Sequence, residues 1–270
     1  MKKLTSDKII RFKHSANSGD LISSLASVKH ICEERSAKAV YMQQKNVRAT
    51  YYEGATHPVK TEDGIMVMMN DKMFEMMKPL IDAQPYVSSF ESWEGDGVDF
   101  NLDEIRNVKI GMPYGSIQRW YFQVFPQFAC DLSKAWVFPT EKNEFYKNKI
   151  FVNRTQRYRN DNISYHFLKN YQDRVIFIGA KSEHELFCQE WKLDIPYLQV
   201  IDFLELANAL ASCKFFLGNQ SFCYNLAEAM KVPRIVETCG YAINCIPHGA
   251  DGYDFVLQTG LEYYFNKLNR

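Results

Sequence analysis

The chain of 270 residues has no excess of charge of either sign: 32 Lys and Arg balance 32 Asp and Glu. No global field therefore recruits nucleic acid or anionic lipid, although a local basic patch stays open. No apolar run approaches the roughly 20 residues that a membrane helix needs. Met1-Lys2-Lys3 is basic, but a polar Thr-Ser-Asp-Lys stands where a secretory signal would place its apolar core, so a cytoplasmic protein is expected. The seven cysteines are odd in number and lack any Cys-x-x-Cys spacing. They read as reduced, mostly buried small residues, which excludes a disulfide framework and a zinc site. Also missing are a G-x-G-x-x-G fingerprint, a Walker-type Gly-Lys-Ser/Thr ending and an Asp-x-Asp pair. A nicotinamide cofactor is thus unsupported, and with dispersed histidines a bound catalytic metal is not expected. No repeat or low-complexity segment breaks the chain.

What is present is a folded composition, 46% hydrophobic and 14% aromatic. Apolar runs alternate with helical periodicity in two series. The first has strands at 9–12, 37–42 and 64–69, helices at 20–34 and 73–81, and an extended 86–90. The face of the first helix is Leu21, Leu25, Val28 and Ile31. The Met66–Met77 cluster reads as core packing. Residues 93–107, acidic and Gly-bearing, read as loop, and 118–128 as an aromatic helix. The charged stretch 141–149 marks a linker near residue 145. The second series has strands at 149–153, 174–179, 197–200 and 214–217, and helices at 162–170, 182–189 and 202–212. Such alternation predicts an α/β chain with parallel sheets, arranged as two doubly wound domains in tandem. The expected division is 1–145, 146–255, and a C-terminal segment 256–270. A helix from Leu261 to Asn269 is expected in that segment, packed back on the N-terminal domain.

Four strand-to-helix turns carry the candidate chemistry. In Asn17-Ser18-Gly19-Asp20-Leu21-Ile22, Asp20 is either a helix cap or a general base aimed into a cleft. In Asn153-Arg154-Thr155-Gln156-Arg157-Tyr158-Arg159-Asn160, three arginines crowd one loop. Their forks match phosphate oxygens, and the structural alternative is a solvated loop paired with surface acids. Gly179 precedes Lys181-Ser182-Glu183-His184-Glu185, where the acids suit a helix N-terminus better than a ribose. The fourth, Phe215-Phe216-Leu217-Gly218-Asn219-Gln220-Ser221, enters the helix Phe222-Cys223-Tyr224-Asn225-Leu226-Ala227-Glu228-Ala229-Met230, then Val232-Pro233-Arg234-Ile235-Val236-Glu237. Backbone N–H groups and the Ser221 hydroxyl at such a turn suit a phosphate or a sugar hydroxyl.

Taken together, these segments resemble the heptosyltransferase-like glycosyltransferases of family 9. The likeness rests on Gly19-Asp20-Leu21-Ile22, on Asp131-Leu132-Ser133 with Trp136, and on the Leu-Ala-rich stretch 202–211. It continues in Gly218, Ser221, Leu226-Ala227-Glu228-Ala229 and Val232-Pro233. It covers most of residues 8–257, is strongest over 149–247 and thin over 43–115. The resemblance implies a GT-B fold, two facing Rossmann-like domains with a cleft between them. It implies inverting, metal-independent transfer from a nucleotide-diphosphate sugar to an acceptor hydroxyl, with no cofactor beyond that co-substrate. On it, Asp20 is the base, with Ser18 and Gly19 on the acceptor side. The donor side takes Arg154, Arg157, Arg159, Gly179, Gly218, Asn219, Gln220, Ser221, Asn225, Glu237 and Asn244. The heptose-transferring members usually carry Asp, Gly and His where Gln220, Phe222 and Asn225 stand here, so ADP-heptose is not implied as the donor. The expected acceptor is a saccharide such as lipopolysaccharide or another surface glycan. Two other readings stay open: transfer to a modified DNA base, as in some phage enzymes, and nucleotide-sugar binding without turnover.

Overall fold

The computed structural model describes residues 8–49, 59–95, 97–108, 110 and 115–270. The first half is built of β1 (Ile9–His14), α1 (Ser18–Glu34), β2 (Lys38–Gln43), α2 (Asp71–Asp82), β3 (Val87–Ser92), β4 (Phe100–Asn101) and α3 (Ile117–Val124). Its strands form a parallel sheet in the order β3-β2-β1-β4. The second half runs β5 (Ile150–Asn153), β6 (Val175–Phe177), α4 (Lys181–Trp191), α5 (Phe203–Leu210), β7 (Phe215–Asn219), α6 (Phe222–Met230), β8 (Arg234–Glu237), β9 (Gly252–Phe255) and α7 (Gln258–Asn269). These strands make a second parallel sheet, β6-β5-β7-β8-β9. Both sheets are fed by the alternating apolar runs of the sequence, as parallel strands covered on both faces require.

The helix α1 is buried on more than its apolar face. Leu21, Leu25, Val28 and Ile31 are shut away as the periodicity predicts, but so are Ser23, Ser24 and Ser27. The small serines let a second layer come close: Ser24 Oγ bonds Tyr41 Oη at 2.8 Å, and Ser23 Oγ donates to Asn225 Oδ1 of α6 at 3.1 Å. Trp136 closes the same seam, its Nε1 donating to Ile22 O at 2.9 Å and its backbone N–H to Ala229 O at 2.9 Å. One hydrophobic core therefore runs from Phe12 and Tyr41 through Phe128 and Trp136 to Phe151, Phe216 and Leu226. A second core lies on the far side of the second sheet, around Phe177, Phe187, Phe215 and Phe265.

Several expectations are corrected. Residues 64–69 form no sheet strand; they make isolated antiparallel bridges, Arg48 with Val67 and Lys60 with Met66. The 162–170 helix is only a 3-10 segment, His166–Tyr171, and 197–200 contributes a single bridge, Phe177 with Tyr197. The expected loop 93–107 contains the edge strand β4 and a 3-10 segment, Leu102–Arg106. Its acids disguise a strand that pairs with β1 over only two positions, too short for a period to show. Strand β9 went unread for a similar reason. The C-terminal helix, expected against the first half, packs on its own sheet. Phe265 meets Phe215, Phe167 and Tyr171, and Asn269 accepts from Arg174 and Lys214. Its apolar stripe finds the nearest open sheet face, under β8 and β9.

Candidate functional site

A cleft of about 170 Å³ lies between the carboxyl ends of the two sheets. Asn17, Ser18, Gly19, Asp20, Val59, Met68, Met73 and Ile117 line it from the first half. Arg157, Tyr158, Gln220, Ser221, Phe222, Asn225, Asn244 and Cys245 line it from the second. The N-termini of α1 and α6 both open onto it, so two sets of orphan N–H groups face the same space.

On the first wall, β1 ends at His14 and the chain turns into α1. The helix is capped by Asn17, whose Oδ1 accepts from Asp20 N at 3.1 Å. Asp20 is therefore not the cap, and its carboxylate is left for other work. One oxygen, Oδ2, accepts from Arg106 Nη2 at 3.0 Å, and the side chain is 18% exposed. Burial pushes its proton affinity above the usual aspartate value, against the pull of Arg106 and Arg157. Beneath it, His14 is wholly buried. Its Nδ1 accepts from Ala16 N at 2.8 Å, so the ring proton sits on Nε2 and is donated to Tyr121 Oη at 2.7 Å. Tyr121 in turn donates to the main-chain oxygen of Asp20 at 3.3 Å. Burial lowers the His14 pKa to about 4, so the ring is neutral at pH 7 and serves as a strut.

On the second wall, Ser221 caps α6 through Tyr224 N at 3.2 Å. Gln220 spends its amide on the 239–244 loop: Nε2 donates to Ala242 O at 2.6 Å and Asn244 Oδ1 at 2.5 Å, and Oε1 accepts from Cys239 N at 3.2 Å. Asn225 Nδ2 donates back to Ser221 O at 3.1 Å. Gly19 must be small because a Cβ there would stand 3.0 Å from that same Nδ2.

The structure thus brings Ser18, Gly19, Asp20, Arg157, Gln220, Ser221, Asn225 and Asn244 to one cleft, across about 200 residues of sequence. Arg154, Arg159, Gly179, Gly218, Asn219 and Glu237 do not line that cleft. Arg154 is 2% exposed and pairs with Glu237 through Nε at 2.8 Å and Nη2 at 2.9 Å. Burial works against its charge, but the Glu237 hydrogen bonds prevail and its pKa is raised. Glu237 also accepts from Tyr165 Oη at 2.8 Å and Asn160 N at 2.5 Å. Arg159 turns outward to Glu190 and Gln156.

Asn219 clamps the arginine loop: Oδ1 accepts from Thr155 N at 2.9 Å, and Nδ2 donates to Thr155 O at 3.1 Å and Arg157 O at 2.7 Å. Gly218 lies inside β7, where a Cβ would overlap the Asn153 carbonyl, and Gly179 turns at φ +113° against the Asn153 side chain. Sequence reasoning missed Arg106, Tyr121 and His14, which come from a supposed loop, a helix and a strand end that only folding unites. It also missed the apolar lining of Val59, Met68, Met73 and Ile117. Met68 and Met73 belong to a cluster read as core, and Met68, 5% exposed, serves both roles.

No family model matches the chain, and no curated protein matches it in sequence. Its fold is nevertheless found among solved structures. A family 9 glycosyltransferase from Veillonella parvula DSM 2008 superposes with a TM-score of 0.59 at 11% identity, over 92% of this chain and 86% of that one. The E. coli ADP-heptose lipopolysaccharide heptosyltransferase II gives 0.55 at 12% identity, over 97% and 98%. The dodecameric, iron-containing glycosyltransferase TibC of enterotoxigenic E. coli H10407 gives 0.58 at 12%, over 100% and 80%. The chain has the heptosyltransferase-like fold of the family 9 glycosyltransferases.

Proposed function

We propose that this protein is a glycosyltransferase that moves a sugar from a nucleotide-diphosphate donor to a saccharide hydroxyl, with inversion and without a metal. The observation that carries the reading is the meeting of Asp20 with Arg157 and the Ser221-capped helix end across one cleft. The acceptor hydroxyl attacks the anomeric carbon while the Asp20 carboxylate takes its proton, and the bond to the diphosphate oxygen breaks on the opposite face. The charge left on the diphosphate meets the Arg157 guanidinium, the Ser221 region and the α6 N-terminus, which act where charge develops. In this reading Arg154, Glu237 and Asn219 hold the arginine loop in shape. The solved relatives of the same fold, which include an ADP-heptose lipopolysaccharide heptosyltransferase, favour a surface-glycan acceptor. Ligand sites commonly enclose roughly 300–1,000 Å³, so a cleft of about 170 Å³ has to widen to admit the donor.

The first test is a thermal-shift screen against UDP, ADP, GDP, CMP and dTDP and their sugar conjugates. A shift with one nucleotide, lost in Arg157→Ala, is expected, since ligand binding to the native state raises its melting temperature. The matching sugar conjugate then serves for transfer assays, in which EDTA is expected to leave the rate unchanged. No shift from a folded sample would count against the donor site. Asp20→Asn should abolish transfer while leaving that nucleotide shift intact, and full activity in the variant would sink the base assignment.

A further inference from the structure

The 3-10 segment Leu102–Arg106 is fastened to the β1–α1 turn with more care than a surface loop needs. Its strand β4 pairs with β1 at Phe12–Phe100 and Lys13–Asn101. Two residues later, Asp103 accepts from Lys13 Nζ at 2.5 Å and from Ser15 N at 2.9 Å. The segment therefore grips the same turn that launches Asp20. From this anchored base, Arg106 reaches back to Asp20 Oδ2 at 3.0 Å. Among the described residues, Oδ1 of Asp20 accepts no hydrogen bond from another side chain, and Asp20 lines the cleft.

We propose that Arg106 is a positioning residue for Asp20: its guanidinium pins Oδ2, and so turns Oδ1 toward the acceptor hydroxyl. The inference rests on the reading of Asp20 as the base. An unheld Asp20 carboxylate could rotate about its χ angles and would be a poor near-attack partner, because productive catalysis requires fixed geometry. The two arginines divide the work. Arg157, on the donor wall, faces the diphosphate; Arg106, on the acceptor wall, stays with the base throughout the transfer. Arg106 also pulls against the burial that disfavours the charge of this carboxylate. Among the described residues, the other groups whose charge reaches this carboxylate include Asp103 from the same 3-10 segment, Arg157 from the arginine loop, Tyr121 from α3, Tyr41 from β2 and Cys245 from the 239–245 loop.

The test uses the full chain with no ligand, labelled with 13C at the Asp side-chain carboxyl carbon, its Asp20 resonance assigned by loss in Asp20→Asn. The carboxyl is titrated by NMR in the native protein, in Arg106→Ala and in Arg106→Lys. The titration midpoint is expected to move upward in Arg106→Ala and to return most of the way in Arg106→Lys. An unmoved midpoint in folded Arg106→Ala overturns the proposal, as does Arg106→Lys behaving like Arg106→Ala. Transfer from the nucleotide sugar identified by thermal shift supplies the second readout. There Arg106→Ala should lose about 10- to 100-fold in kcat, with the acid limb of its pH profile raised and the nucleotide shift unchanged. If Asp20→Asn transfers sugar at the native rate, it is the base reading that fails. If Asp20→Asn is inactive and Arg106→Ala keeps the native rate and profile, the positioning role alone fails.

Discussion

The two walls of the cleft are built on opposite principles. The second wall is saturated with hydrogen bonds: Asn219, Gln220, Asn225, Arg154 and Glu237 use nearly every polar atom to hold loops and helix ends. Among the described residues, the first wall holds its key carboxylate by a single ion pair, above a neutral His14–Tyr121 strut. A site that receives a diphosphate needs donors that do not reorganise as charge arrives, and a closed network supplies that. A base that must take up a proton needs one carboxylate oxygen held and the other open, and an ion pair at Oδ2 leaves Oδ1 open. The contrast teaches that polarity near a cleft and contact with its contents are different properties. Six of the residues that the sequence offered as donor ligands do not line the cleft.

The comparison breaks first, and most heavily, at the buried Arg154–Glu237 pair. Glu237→Ala leaves the buried guanidinium only a 3.7 Å approach to the half-exposed Glu190 and should cost about 3–5 kcal/mol in urea unfolding. Arg154→Met combined with Glu237→Leu should recover much of that loss. A single variant close to native stability would show that the pair is not the keystone of this wall.

The first wall is probed by acid. His14 has a folded pKa of about 4, below its unfolded value of 6.5, so between these two pH values the unfolded chain binds more protons. Its contribution is therefore fully present above pH 6.5 and is lost as the pH falls toward 4, a change of about 3 kcal/mol. His14→Gln should flatten the stability slope across that window. An unaltered slope would mean that other groups control acid unfolding.

A smaller effect sharpens the contrast. Asn219→Ala removes both ends of the clamp on residues 155–158 and should cost about 1–3 kcal/mol. It should also weaken nucleotide binding through Arg157, which Asp20→Asn should not. Equal nucleotide affinity in Asn219→Ala and the native protein would detach the clamp from the donor wall.

Much of this molecule was legible as a pattern. Period and alternation located β1, α1, β5, β7 and α6, because each carries a continuous apolar run long enough to show its repeat. The turns after β1 and β7 declared themselves by Gly19, Asp20, Gly218 and Ser221, since a strand end followed by a helix N-terminus is a local chemical signal. Short elements escaped. Strand β4 has two residues, and 64–69 looks like a strand by composition yet finds no ladder to join. Helix α7 was located in the sequence, but its partner was not, because an apolar stripe states that a face will be covered and not by what.

By itself the sequence determined the types of the longer elements, the two alternating series and the residue kinds at each turn, since these follow from local sterics and side-chain spacing. Only the tertiary structure decided which of those residues look into the cleft. Asp20 and Arg106 are 86 positions apart, and Ser23 and Asn225 are 202 apart. Whether Arg154 faces a ligand or Glu237 depends on the direction in which a loop is pulled, here by Asn219 and the Glu237 carboxylate. That direction is a property of contacts between distant segments, for which no local stretch of chain carries a signal.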